Sequence, residues 1–185
     1  DCRSPQRICC HTVISAFQRV PDRIHVILVD ADFHRPQLDS LFHLDAQQGL
    51  SDILTSQIIR PPLQSTELKK LSVLTNGEPV EDAIELLSSP KMENLLNTLT
   101  TDVDLVLIDC PPVLTLADAS YLTPLVDGVI LVVKSGSTDR KAAVDALALL
   151  KMTKIQFIGV VLNDVVTRSS TYYHYYDQSY KKALG

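Results

Sequence analysis

Short apolar runs alternate along this chain with longer stretches in which apolar and polar residues recur at helical spacing. The runs are rich in Val, Ile and Leu, and they predict strands at residues 24–30, 71–75, 105–109, 128–134 and 156–163. Several of them are apolar at nearly every position, which is typical of parallel strands that helices cover on both faces. The pattern therefore predicts an α/β fold with a mostly parallel sheet.

The stretches between the runs have the spacing of helices. They predict helices at residues 36–43, 50–56, 80–88, 91–100, 117–125 and 139–152. The last stretch carries a broad face of Ala and Leu, as expected of a helix that packs on a sheet. Strands that alternate with helices in this way predict a doubly wound domain with ligands at the carboxyl ends of the strands.

Composition narrows the class of protein. The 185 residues fit one domain, which we expect to span residues 1–163, followed by a flexible tail at 164–185. The net charge of −5 argues against the basic surface that nucleic-acid binding needs, so we expect no nucleic-acid partner. No apolar run approaches the roughly 18 residues of a membrane span. Of the four cysteines, three lie in the first ten residues, a poor disulfide framework, so we expect a cytoplasmic location.

Two carboxylates follow the first predicted strand. Asp30 and Asp32 come where open α/β sheets bind their ligands, and Arg35 follows them closely. Paired carboxylates there would hold Mg²⁺, directly or through water, or act on a bound nucleophile, and Arg35 would meet phosphate oxygens. The alternative is a strand-to-helix turn in which Asp32 caps a helix that begins at Pro36.

Asp109 repeats this arrangement at the end of the strand at 105–109, and Pro111 and Pro112 stiffen the chain just beyond it. In nucleotide-hydrolysing α/β proteins an acid in this position orients Mg²⁺ or its water near the β- and γ-phosphates. Asn163 ends another apolar strand at the same rim and is a candidate for contacting an adenine edge.

Tyrosines are concentrated near the end of the chain. Five of the six lie within nine positions, namely Tyr172, Tyr173, Tyr175, Tyr176 and Tyr180. The approach to them is polar, and no alternation separates an apolar face from a polar one, so a buried aromatic strand is disfavoured.

These features together resemble the cytoplasmic kinase domain of bacterial tyrosine kinases, which regulate capsular and exopolysaccharide synthesis and export. Residues 27–35 match the family's pattern of three apolar residues followed by Asp-x-Asp-x-Arg, except that His34 stands where the first arginine is usual. Residues 106–112 match its Walker B pattern, three apolar residues followed by Asp-x-x-Pro. Further similar stretches are 48–54, 85–89, 126–133 and 159–163, so the resemblance covers roughly residues 13–180.

The resemblance implies a three-layer α/β/α fold of the P-loop NTPase class and an ATP- and Mg²⁺-dependent tyrosine autokinase. It implies catalytic roles for Asp30, Asp32 and Asp109, with Asp109 and Asp30 at the Mg²⁺. It places Arg35, Pro112 and Asn163 at the nucleotide, and it makes the clustered tyrosines phosphoacceptors that a neighbouring subunit modifies. The implied partners are a membrane-anchored transmembrane activator or polysaccharide co-polymerase, further copies in a ring, and a tyrosine phosphatase, at the inner face of the membrane.

One departure from the family's pattern lies near the start. The family carries a phosphate loop, G-x-x-x-x-G-K-[ST], about twenty residues before the acid that aligns with Asp30, whereas residues 4–12 here contain neither glycine nor lysine. We therefore expect residues 1–12 to be truncated or degenerate relative to that family. Two alternatives stay open on this ground: a pseudokinase that acts through binding, and a partitioning-type ATPase of the same superclass.

Overall fold

The structure, a computed structural model, describes residues 24–56, 60–101, 103–114, 121–153 and 155–165. The elements in these ranges are β1 (Val26–Asp30), α1 (Leu38–Phe42), α2 (Leu50–Thr55), β2 (Gln64–Ser65), β3 (Leu71–Leu74), α3 (Ala83–Leu87), α4 (Pro90–Leu99), β4 (Leu105–Asp109), a 3₁₀ turn (Thr123–Leu125), β5 (Val129–Lys134), α5 (Arg140–Met152) and β6 (Phe157–Asn163). No helix in these ranges is both long and apolar enough to cross a bilayer.

The predicted strands are all present, each within two residues of its predicted bounds. The short strand β2 was not predicted. Five of the six predicted helices are present as α1 to α5. Of the predicted helix at 117–125, residues 117–120 lie outside the described residues, and the described part ends in the 3₁₀ turn.

The strands form two sheets within the described residues. The larger sheet has the order β2-β3-β1-β4, in which β1 pairs in parallel with both β3 and β4, while β2 adds to β3 in antiparallel fashion. The smaller sheet is the parallel pair β5 and β6. The expectation of a mostly parallel sheet is therefore confirmed.

Strand β1 lies at the centre of three layers. Successive side chains of a strand point to opposite faces, and here Ile27 and Val29 pack against α2 and α4, while Val26 and Leu28 pack against α1. All five residues of β1 are buried. Helices therefore cover this part of the sheet on both faces, as its continuous apolar sequence predicted.

Among the described residues, a helix covers one face of the smaller sheet. Ala146 and Leu150 of α5 form a core cluster with Leu131 of β5 and with Val113, which follows β4. On the other face of β6, Ile158, Val160 and Leu162 are more than half exposed. A cavity of about 680 Å³ lies between the two sheets, and apolar residues of β4 and β5 line it.

Candidate functional site at the carboxyl edge of the sheet

Asp30 and Asp109 lie side by side at the carboxyl edge of the larger sheet. They end the adjacent strands β1 and β4 and are partners in the parallel register. The backbone N–H of Ala31 donates to the carbonyl of Asp109 at 2.9 Å, which fixes the two strand ends together. Asn76, which follows β3, donates its side-chain Nδ2–H to the carbonyl of Asp30 at 3.2 Å. Three parallel strands thus bring buried polar residues to one edge, as the sequence predicted for the two acids.

The carboxylate of Asp30 holds the following loop and helix. Its Oδ2 accepts hydrogen bonds from the backbone N–H groups of Gln37 and Leu38, each at 3.0 Å, and its Oδ1 accepts one from the N–H of Asp32 at 3.2 Å. Two of these donors belong to the start of α1, whose first N–H groups have no partner inside the helix. Gln37 is the N-cap residue of α1 by position, and the carboxylate of Asp30 accepts the N–H groups of Gln37 and Leu38.

Burial raises the pKa of Asp30 to about 6. The three backbone N–H donors lower this pKa, and the nearby carboxylate of Asp32 raises it, but removal from water is the largest effect. Asp30 is therefore ionised in most molecules at pH 7, although its charge is far less favourable there than in water.

Asp32 organises the turn that follows. Its Oδ1 accepts hydrogen bonds from the backbone N–H groups of His34 at 3.2 Å and Arg35 at 2.9 Å. Asp32 itself is buried, whereas His34 and Arg35 are exposed beside it. The turn thus brings one cationic side chain, that of Arg35, to the solvent side of the acidic edge.

The loop that contains Gly49 contacts the loop that contains Gly77, next to the carboxyl edge. The sequence did not predict this contact. The N–H groups of Leu50 and Ser51 donate to the carbonyls of Thr75 and Asn76 at 2.9 and 2.8 Å. A Cβ at Gly49 would overlap the backbone of residues 75–77, which leaves room for glycine alone. Two dipeptides in the sequence signal turns at these places: Gln48-Gly49 before an apolar run and Asn76-Gly77 after a strand.

Gly77 completes this contact from the other loop. Its φ of +86° lies in the region that glycine adopts without steric cost. A Cβ at Gly77 would also meet the side chains of Ser51 and Asp52, and Asp52 Oδ2 accepts the N–H of Gly49 at 2.8 Å. The buried Ser51, Thr75 and Asn76 therefore belong to the inner wall of the carboxyl edge.

The other predicted site residues lie further along the chain. Pro112 is half-buried three residues after Asp109. Asn163 ends β6, where it pairs in register with Lys134, and its Oδ1 accepts the N–H of Asp164 at 2.8 Å. Asn163 thus belongs to the smaller sheet and Asp30, Asp32 and Asp109 to the larger one. Tyr172, Tyr173, Tyr175, Tyr176 and Tyr180 lie outside the described residues.

The carboxyl edge fits a magnesium ion for which the protein supplies only some of the ligands. In the described ranges, no three His, Cys, Asp or Glu side chains are arranged to hold a metal ion. The carboxylates of Asp30 and Asp109 still end adjacent strands. Mg²⁺ is commonly bound by one or two carboxylates, with water and substrate phosphates as its other ligands. The residues present fit such a site.

The sequence of this chain is similar to those of bacterial tyrosine kinases. The chain is 34% identical over 152 residues to the tyrosine-protein kinase YwqD of Bacillus subtilis, and the match covers 82% of this chain and 64% of that protein. It is 31% identical over 148 residues to the tyrosine-protein kinase ptk of Acinetobacter johnsonii, with 80% of this chain and 20% of that protein covered. The chain thus spans less than two thirds of the length of either relative.

The fold is also similar to that of a solved tyrosine kinase domain. The kinase domain of the Escherichia coli tyrosine kinase ETK superposes with a TM-score of 0.75 at 28% identity, over 85% of this chain and 60% of that one. The septum site-determining protein MinD of Pyrococcus horikoshii, solved with Mg-ADP, has a TM-score of 0.64 at 20% identity over 80% of this chain and 61% of that one, which shows a shared fold alone. The resemblance to bacterial tyrosine kinases is confirmed, as is the three-layer P-loop NTPase class. Residues 11–181 match the family described as ParA, NUBPL iron-transfer P-loop NTPase, and the chain belongs to this family of P-loop NTPases.

Proposed function

We propose that this chain is the kinase domain of an ATP-dependent tyrosine autokinase that regulates capsular or exopolysaccharide synthesis and export. The observation that carries the proposal is the pairing of Asp30 and Asp109 at the carboxyl edge of a P-loop NTPase sheet. The similarity to tyrosine kinases selects this activity among those that the fold supports.

Asp109 is the principal Mg²⁺ ligand in this proposal. Asp30 uses both of its oxygens to hold α1 and the Asp32 turn, so its part is to place the loop and to add negative charge near the ion. When bound, Mg²⁺ supplies charge that neutralises the phosphates during transfer. Arg35 and Pro112 are proposed to contact the nucleotide, and Asn163 its adenine edge.

The substrate in this proposal is the tyrosine cluster of a neighbouring copy. Asp32 orients the attacking hydroxyl of a tyrosine at 172–180. The tyrosine oxygen forms a bond to the γ-phosphorus of ATP while the bond from that phosphorus to the β–γ bridging oxygen breaks, ADP leaves, and the hydroxyl proton passes to water. Each added phosphate contributes about −1.5 to −2 charges, which separates the modified segment from an acidic neighbour. A membrane-anchored activator or co-polymerase and a tyrosine phosphatase are the other proposed partners, at the inner face of the membrane.

The experiment compares Asp109→Asn with Asp127→Asn. Asp127 is an exposed acid next to β5 and away from the carboxyl edge, so its replacement is a matched control for lost charge. We expect Asp109→Asn to lower Mg·ATP-dependent phosphotyrosine formation by about 100-fold or more, with Asp127→Asn unchanged. Equal rates in the two variants would overturn the role of Asp109, and phosphate mainly on Tyr121 would overturn the choice of acceptor. Hydrolysis of ATP without phosphotyrosine would identify an ATPase instead.

A pseudokinase is the second candidate, because residues 4–12 contain no glycine and no lysine. A phosphate loop supplies several charge-assisted hydrogen bonds worth about 1.5–3 kcal/mol each, and the loss of two weakens binding by about 100-fold or more. We expect calorimetric titration with Mg·ATP to give a dissociation constant in the high micromolar range or weaker. Binding in the low micromolar range would remove the main support for a pseudokinase.

A further inference from the structure

A pocket lies at the amino edge of the larger sheet, at the opposite end of its strands from the candidate site. Its walls come from the start of β1, from β2 and the start of β3, and from the turn at 66–70 that joins β2 to β3. Its volume is about 400 Å³, and we call it the amino-edge pocket. Val26 lines it, whereas Asp30 lies about 13 Å away at the other end of β1. The amino-edge pocket is therefore separate from the acidic carboxyl edge.

The charged lining of the amino-edge pocket is cationic. Lys69 and Lys70 line it together with the imidazole of His25, and no carboxylate is among the described residues of its wall. The nearby Asp104 lies outside that wall, where its Oδ2 accepts the backbone N–H of His25 at 2.7 Å. The chain as a whole has a net charge of −5, so this pocket is a cationic place on an acidic protein. Two neighbouring ammonium groups favour a bound anion, because it offsets their mutual repulsion.

The backbone of Lys70 has a conformation that lysine rarely adopts. Its φ is +63°, in the left-handed region where glycine has no steric cost. The other described non-glycine residues with positive φ are His43 and Asp164, and their residue types are found in this region more often. The carbonyl of Lys70 accepts the N–H of Val26 at 2.9 Å, which fixes this conformation between β1 and β3. Strained residues are concentrated at binding sites, and here the strained residue brings a positive charge to the pocket.

Two serine hydroxyls lie on the same wall. Ser65 of β2 and Ser72 of β3 are partners in the antiparallel register, so their side chains share one face of the sheet. Both line the pocket, and neither hydroxyl is hydrogen-bonded to another described residue. The hydroxyl of Thr66, in contrast, accepts the N–H of Leu68 and donates to the carbonyl of Leu71, each at 3.1 Å. The two serines therefore remain as hydrogen-bond donors to a ligand.

Apolar side chains form the rest of the amino-edge pocket. Leu68 and Val103 are half-buried in its wall, and Val26 and Leu71 are buried beneath it. Phosphate oxygens suit the polar wall, because they accept several hydrogen bonds and pair with ammonium groups at once. Free phosphate would leave the apolar wall in water, whereas an apolar group attached to the phosphate would cover it. The two walls together indicate a ligand that is anionic at one end and apolar at the other.

We propose that the amino-edge pocket binds a phosphate monoester whose organic part is apolar. Lys69, Lys70 and the two serine hydroxyls bind the phosphate oxygens, and Leu68 and Val103 contact the organic part. The ligand is bound without a covalent step. The proposal concerns the edge of the sheet opposite Asp30 and Asp109, so it does not depend on the proposed kinase activity.

Phenyl phosphate is a suitable probe, because it combines a phosphate with a small apolar ring. In NMR titrations of the full ¹⁵N-labelled chain without Mg²⁺, we expect it to shift the amide signals of residues 65–72 in a saturable way. We expect a dissociation constant of about 1 mM or lower. Inorganic phosphate and phenol, which each carry half of the chemistry, are expected to bind at least about fivefold more weakly.

Lys70→Gly is the most informative variant, because glycine keeps the positive φ and removes only the side chain. We expect it to weaken binding of phenyl phosphate by about tenfold, as the loss of one charge-assisted hydrogen bond predicts. The melting temperature of the free chain is expected to change by less than about 5 °C. Lys141→Ala removes the same charge from an exposed position on α5 and is expected to leave binding unchanged.

Three results would overturn the proposal. Equal binding of phenyl phosphate by the unmodified chain and by Lys70→Gly would remove this lysine from the site. Equal binding of phenyl phosphate and inorganic phosphate would mean that the apolar wall contacts no ligand. Absence of saturable shifts at residues 65–72, including a response found only around Asp30, would mean that the amino-edge pocket does not bind this class of compound.

Discussion

Strands β1 and β6 are both apolar runs that end in a polar residue, yet their surroundings differ. Every residue of β1 is buried, while the residues of β6 alternate between half-buried and exposed. Helices pack on both faces of β1, and α5 packs on one face of the β5 and β6 pair. Apolar sequence therefore predicted both strands, but the number of layers over each strand decides how much it contributes to stability.

The same truncation in each strand measures this difference. Leu28→Ala removes a fully buried side chain from β1, and we expect it to lower the free energy of unfolding by about 2–5 kcal/mol because a cavity remains. Leu162→Ala in β6, where the side chain is 56% exposed, is expected to cost less than about 1 kcal/mol. Urea denaturation of both variants checks the comparison. Equal losses would mean that the exposed face of β6 is covered in solution.

Two glycines extend the comparison to the loops. Gly77 and Gly136 both have positive φ, but a Cβ at Gly77 would meet Ser51 and Asp52, while a Cβ at Gly136 would meet nothing within 4 Å. We expect Gly77→Ala to cost about 2–5 kcal/mol, from backbone strain and overpacking together, and Gly136→Ala about 1–2 kcal/mol from strain alone. Thermal and urea unfolding measure both, and a larger loss for Gly136→Ala would contradict the packing described at Gly77.

The buried acid of β1 predicts a dependence on pH. The pKa of Asp30 is about 6 in the folded chain, against an ordinary value of 3.8 that applies to the unfolded chain, so well below pH 3.8 the carboxyl is protonated in both states. As the pH rises from 3.8 to 6, the unfolded chain loses its proton first, and this group's contribution to stability falls by about 3 kcal/mol. We expect Asp30→Asn to remove this slope between pH 4 and 7, and Asp127→Asn to retain it. A slope that persists in Asp30→Asn would assign it to another group.

The smallest effect is expected in the smaller sheet. Lys134 Nζ lies 3.2 Å from Asp164 Oδ2, and the two side chains are 31% and 60% exposed. Asp164→Asn is therefore expected to cost less than about 1 kcal/mol, and less again in 1 M salt, where charges are screened within about 3 Å. Denaturation at two salt concentrations checks this, and a loss above 2 kcal/mol would show a pair more buried than described.

Much of the fold was readable from the sequence because buried parallel strands are apolar at every position. Strand β2 was missed because Gln64 and Ser65 are polar and form a strand only through pairing with Ser72 and Val73 of β3. The alternation of strands and helices predicted the layers. It did not predict that the described strands would form two separate sheets.

The candidate site was readable in part. Asp30 and Asp109 could be predicted because each ends an apolar run, and parallel strands bring their carboxyl ends together. The hydrogen bonds from the first N–H groups of α1 to Asp30 depend on a loop path that local sequence does not fix. The contact of Gly49 with the loop at Gly77 joins residues far apart in the chain, and single-sequence patterns carry no record of it.

The parallel pairings described above differ in how much chain they enclose, and this affects the order in which the protein folds. Val129 pairs with Phe157 across a short βαβ unit, whereas Val26 pairs with Leu105 and His25 bonds to Asp104 across 79 residues. Closing the longer loop costs about 1 kcal/mol more entropy, and non-local pairings slow folding. We therefore expect the β5-α5-β6 unit to acquire its amide protection early in folding. The pairing of the buried strand β1 with β4 is expected to form later.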